Sequence, residues 1–138
     1  MNELVRISAA LADATRLTLL SACLDRELCA CQLVALAGLS NAAVSKHLSL
    51  LRDAGLLQSR KQGRWVHYRL HDTPSPAAAD AIAWVRAHGG QSARATHERM
   101  EQILAIDPAE LSRMQREGCC VIGDTNEQAA RTQQECAP

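Results

Sequence analysis

Two short stretches with helical apolar spacing, residues 30–37 and 41–54, are separated by only Gly38-Leu39-Ser40, and that spacing restricts the fold more than any other feature of the chain. Leu33, Val34 and Leu36 mark the inward side of the first stretch, and Val44, Leu48 and Leu51, at i, i+4 and i+7, that of the second. Gly38 stands where helices commonly stop, Ser40 or Asn41 can cap the second helix, and Gly55 closes it. A three-residue connection forces the two helices to cross as a helix-turn-helix.

The period then changes. After residues 56–61 and a Gln62-Gly63 turn, Trp65, His67 and Arg69 alternate with Val66, Tyr68 and Leu70, the two-residue period of a strand. Two runs joined through a glycine turn predict a β-hairpin, and a hairpin behind a helix-turn-helix predicts a winged helix, a mainly α fold with a small β element. With no Phe, one Tyr and two Trp, the core must be Leu, Ala, Val and Ile, which favours helix elsewhere.

The flanks agree. Leu4, Ile7 and Leu11 predict a first helix with those residues inward, and Leu17, Leu20 and Leu24 a second over 13–23 capped by Asp13. Beyond Thr73-Pro74-Ser75-Pro76, residues 77–88 read as a helix with Ala81, Trp84, Val85 and His88 along one side. Gly89-Gly90 interrupts it before a further helical run over 93–106, leaving one kinked helix or two. Asp107-Pro108-Ala109-Glu110 is a helix start, and from Gly118 the polar composition predicts a mobile tail.

Net charge is zero, but its distribution is uneven: residues 40–71 carry six basic groups against Asp53 alone. A basic stripe of this kind is an electrostatic footprint for phosphate. On the outer face of the second helix, Asn41, Ala42, Ser45 and Lys46, with His47 beside them, have the size and polarity to meet base edges in a major groove. Arg60, Lys61 and Arg64 at the hairpin suit phosphates or a minor groove. Residues 1–106 are therefore expected to form a winged helix-turn-helix DNA-binding domain, and 107–138 a C-terminal helix and mobile cysteine-containing tail.

The first residues lack a secretory signal, and no apolar run reaches the roughly 18–20 residues of a membrane span, so a reducing cytoplasm and no membrane partner are expected. Six cysteines there are thiols for metal or redox chemistry. Cys29 and Cys31 precede the expected reading helix by one turn and one helix; two thiolates so close suit a soft ion. Residues two apart in a regular helix point nearly opposite ways, so joint ligation is expected to need a distorted first turn. Cys23, on an apolar helix side, reads as a small core residue. A thiol oxidoreductase would want Cys-x-x-Cys, and no phosphate loop, paired carboxylates or nucleophile triad is present, so no enzyme is expected.

The stretches Glu27-Leu28-Cys29-Ala30-Cys31-Gln32-Leu33, residues 40–48, residues 50–57 and residues 60–70 together resemble the ArsR–SmtB family of metalloregulatory winged-helix repressors, over about residues 3 to 90. The resemblance implies a homodimer joined through the first and post-wing helices, bound to double-stranded inverted-repeat operator DNA and released by an inducer. The Glu-Leu-Cys-x-Cys stretch resembles members that sense As(III) or Sb(III), and some that sense Cd(II) or Pb(II). Many arsenic sensors have another cysteine where this chain has Val34, so Cys119, Cys120 or Cys136 would have to complete a three-thiolate site. Zinc members place Asp and His on the post-wing helix; here Asp80 is present, but Ile82 stands where the histidine belongs. Cadmium and lead members draw cysteines from an N-terminal extension not seen here, which leaves As(III) or Sb(III) as the leading inducer. A redox- or persulfide-sensing repressor on the same scaffold is the alternative.

Overall fold

The computed structural model describes residues 2–116. In chain order these form α1 (Glu3–Leu11), α2 (Ala14–Ala22), β1 (Leu28–Cys29), α3 (Ala30–Ala37), α4 (Asn41–Asp53), β2 (Leu57–Gln62), β3 (Trp65–Leu70), α5 (Pro76–His88), α6 (Gly90–Leu104) and α7 (Pro108–Arg116).

The local signals act as their chemistry dictates. Asp13 caps α2 by accepting the Arg16 amide at 3.1 Å, and Ser40 caps α4 by accepting the Ala43 amide at 3.1 Å. Gly38 ends α3 at φ +66°, a left-handed conformation that costs glycine nothing. Val44, Leu48 and Leu51 of α4 are buried, which turns Asn41, Ala42, Ser45 and Lys46 to solvent. Ser75 caps α5 through the Ala78 amide at 3.1 Å, and its hydroxyl donates to Glu3 of α1.

The sheet has three strands rather than the two of a hairpin. β2 and β3 pair antiparallel from Leu57 opposite Leu70 to Gln62 opposite Trp65, and β1 joins the other edge of β3, Leu28 opposite Tyr68 and Cys29 opposite His67. Two residues are too few to show a period in sequence, which is why β1 is invisible there.

Two further expectations are corrected, and a question left open by the sequence is settled. Leu4 is 61% exposed and Val5 52%, whereas Ile7 and Ala10 form the buried stripe of α1. On α5 the stripe is Ala78, Ile82 and Val85; Trp84, some 200° round from Ile82, is 56% exposed and stands against His88 with ring centroids 6.0 Å apart. Residues 76–104 are two helices, broken where Gly90 adopts φ +54°.

The core is aliphatic, with Leu19, Leu20, Leu33, Leu48, Leu51, Leu56, Leu57, Met100 and Ile103 fully buried. α6 packs across α2 and α3, and α7 across α3. The boundary expected after residue 106 falls inside this packing, because Leu111 of α7 is as fully buried as Leu33. Replacing Leu111 with Ala should therefore lower the unfolding free energy by about 2–5 kcal/mol, read as a fall in urea midpoint; a change below about 0.5 kcal/mol, ordinary for a surface site, would detach α7 from the core.

Candidate functional site

Cys29 is both the last residue of β1 and the cap residue of α3, and its backbone is extended (φ −70°, ψ 148°). Its amide donates to the Gln32 side-chain oxygen at 2.8 Å, a buried reciprocal of the helix start. Cys31, inside the first turn, brings its Sγ to 3.0 Å from Cys29 Sγ. That is about 1 Å longer than a disulfide, and both are free thiols. The expectation that joint ligation needs a distorted helix is thus overturned: Cys29 precedes the helix, so the opposed directions of i and i+2 do not apply. A soft ion with bonds near 2.3 Å holds two sulfurs roughly 3.5–3.8 Å apart, a small opening from what is present.

The electrostatics are asymmetric. Cys31 donates its S–H to Cys29; with backbone amides of Cys31 and Gln32 and the charge of His67, this brings the Cys29 thiol down to about 6 against the opposing effect of burial. Cys31, as donor to a thiolate in a buried setting, is pushed up. The pair is thus a thiolate braced by a thiol, the reactive form at neutral pH. Cys23 is fully buried, and burial pushes it up to about 12, so it behaves as the core residue its helix face indicates.

α7 closes over this pair. The Cys31 Sγ lies 3.9 Å from the Pro108 carbonyl, and Gln115 Nε2 donates to the Cys31 carbonyl at 2.7 Å. Gln115 carries no signal in sequence. Cys119, Cys120 and Cys136 lie outside the described residues. Among the described residues no group of three His, Cys, Asp or Glu side chains is gathered for a metal ion, so the two thiols need a further ligand for a three-coordinate site.

The candidate nucleic-acid interface is formed by α4 and the wing. Asn41, Ala42, Ser45 and Lys46 are exposed on one face of α4, and Lys61 and Arg64 are exposed on the wing, the Arg64 guanidinium 4.8 Å from the Trp65 ring centroid. Two of the expected contacts, His47 and Arg60, also have partners within the chain. His47 is half-buried with Nδ1 3.1 Å from Arg16 Nη1; a guanidinium only donates, so Nδ1 accepts and the ring proton is on Nε2. Arg16 also donates to the Ala10 and Ala9 carbonyls at 2.9 and 2.8 Å, tying the end of α1 to α4. Arg60 is forked onto Glu27, whose carboxyl it holds below the usual carboxylate range. Neither pairing is signalled in sequence, since periodicity does not report contacts 31 or 33 residues apart.

A capped reading helix set against a wing defines a winged-helix DNA-binding regulator. The family model described as "Bacterial regulatory protein, arsR family" matches residues 13–59. The chain is 43% identical over 83 residues to the arsenical resistance operon repressor of Escherichia coli, covering 58% of this chain and 71% of that one. It is 38% identical over 106 residues to the HTH-type transcriptional regulator CmtR of Mycobacterium tuberculosis, covering 77% and 75%. Reduced HlyU from Vibrio cholerae superposes with a TM-score of 0.55 at 32% identity, over 64% of this chain and 90% of that one. The chain belongs to the ArsR family and is a transcriptional repressor of that family, not an enzyme. No helix among the described residues is long and apolar enough to cross a membrane.

Thiolate absorbance near 240 nm should rise with a midpoint near pH 6, because the group ionises above its lowered pKa. Cys29→Ser should remove this transition. Cys31→Ala, which deletes the S–H donor, should move it towards the ordinary cysteine range of about 8.5.

Proposed function

We propose that this repressor binds an inverted-repeat operator as a dimer and is released when Cys29 and Cys31 capture As(III) or Sb(III). The observation that carries the reading is the 3.0 Å approach of the two sulfurs at the junction that begins the helix-turn-helix and abuts the wing strand. Soft thiolates select soft, thiophilic ions, and the similarity to a protein named for arsenical resistance supports a metalloid over a harder ion.

Cys119 or Cys120 completes the site in this reading. Gln115, four positions before Cys119 in the sequence, donates to the Cys31 carbonyl. On the DNA side, Asn41, Ala42, Ser45 and Lys46 enter the major groove, while Lys61 and Arg64 meet the backbone or minor groove. Arg60 contributes the part of its guanidinium that Glu27 leaves open, and His47 supports α4 from behind.

The dimer uses α1 and α5. These helices pack on each other, and Leu4, Val5 and Trp84 are large apolar side chains left exposed on them, the surface a two-fold partner would cover. A second reading, thiol oxidation, is favoured by the same near-contact and by the ionised Cys29. Mass spectrometry of released protein separates the two, through added arsenic or the loss of two hydrogens.

Two experiments test this. Titrating arsenite into a fluorescent operator complex should release the wild type, whereas Cys29→Ser and Cys31→Ser should stay bound, since a hydroxyl is a poor ligand for a soft ion. Normal release from both variants would remove this pair from the sensor. In sedimentation at micromolar concentration the wild type should run as a dimer, and the Leu4→Glu/Trp84→Glu variant as a monomer with operator affinity weaker by roughly 100-fold or more, the scale of avidity for two joined reading heads.

A further inference from the structure

One rung of the sheet crosses all three strands: Cys29 of β1 is opposite His67 of β3, which is opposite Arg60 of β2. Side chains directly opposite across antiparallel strands share a face, and Glu27, two residues before Cys29, returns to that face by alternation. Its carboxylate accepts Arg60 Nε at 2.9 and 3.1 Å and Arg60 Nη2 at 2.5 Å, with Arg69 Nε 3.9 Å away. From its remaining side, Arg60 Nη1 donates at 3.0 Å to Gln62, the residue before the wing turn.

The residues around Glu27 divide their attachments. Asp25 pairs with Arg86 of α5 at 2.8 Å, Arg26 pairs with Glu101 of α6 at 3.0 Å, and Glu27 pairs with the wing. Glu27 is thus tied through two peptide units to a thiol ligand and through a forked ion pair to Arg60. A fork of this kind is directional, so a displacement of β1 by a fraction of a bond length changes its geometry.

We infer that Glu27 is a positioning residue that couples the thiol pair to the wing: when Cys29 is ligated the end of β1 shifts, Glu27 shifts with it, and Arg60 leaves the orientation that suits DNA. Glu27 touches neither the ion nor the operator. The inference rests on the function proposed above and names the path by which that site acts. Since exposed ion pairs add little to stability, the charge can be removed without unfolding the chain.

The quantity to measure is the coupling factor, the operator dissociation constant with arsenite divided by that without it. It is to be determined for the wild type, Glu27→Gln, Arg60→Gln and the double variant, with arsenic stoichiometry read by native mass spectrometry. Glu27→Gln and Arg60→Gln should each lower the factor by about fivefold or more, the lower end of ordinary allosteric couplings. The double variant should lower it no further, and each should still bind arsenic. A loss of DNA affinity that is equal with and without arsenite cancels in the ratio, so a lowered factor in Arg60→Gln reads only the part of the Arg60 contact that ligation removes. A factor unchanged in Glu27→Gln, or single losses that multiply in the double variant, would overturn the coupling while leaving the sensor intact. Failure of arsenite to release even the wild type would overturn the proposed function, and this inference with it.

Discussion

Everything around the thiol pair depends on one residue serving two elements. Cys29 ends β1 and starts α3, so its backbone must satisfy a strand on one side and a helix on the other. The Gln32 side chain makes this possible by taking the Cys29 amide that neither element would satisfy. Because Cys29 is extended, its sulfur turns back over the first turn of α3 and meets Cys31. The same extended backbone places it on the edge of β3 opposite His67. Convergence of the sulfurs and contact with the wing strand are thus one geometric fact.

From that junction the structure runs in two directions. Towards the C-terminus, α3 passes through Gly38 to the reading helix, while α7 closes over the thiols through Gln115 and buries Leu111 in the common core. Towards the sheet, β1 carries Glu27 to Arg60. An ion captured at the pair would therefore sit between the two elements proposed to meet DNA, with short covalent or charged links to each. A perturbation there need not cross the hydrophobic core, which is close-packed and resists displacement.

How much of this is legible in the sequence depends on range. Local signals carry their meaning well: Gly38, Ser40 and the Val44-Leu48-Leu51 spacing define the helix-turn-helix, and the alternation through Tyr68 defines the wing strand. Features set by distant partners do not show. A two-residue strand has no period, so β1 leaves no trace and the Cys29–Cys31 pair reads, wrongly, as intrahelical. Leu4 and Trp84 are apolar at helical spacing, yet an apolar residue left exposed on a helix and one facing the core read alike. Glu27–Arg60 and Arg16–His47 join residues more than thirty apart, where only folded geometry shows the pairing.

Arg16 has a consequence for the assembled repressor. Its single guanidinium fastens the last carbonyls of α1 and the imidazole of α4, so the arm that would grip a second subunit and the head that would read a groove are parts of one lever. In a two-fold particle built this way, the distance between the two heads is inherited from the angle at which the arms cross. Operator half-site spacing would then be a property of the subunit seam, and sequences that preserve the bases but alter their phase along the duplex would be rejected without a single contact being lost.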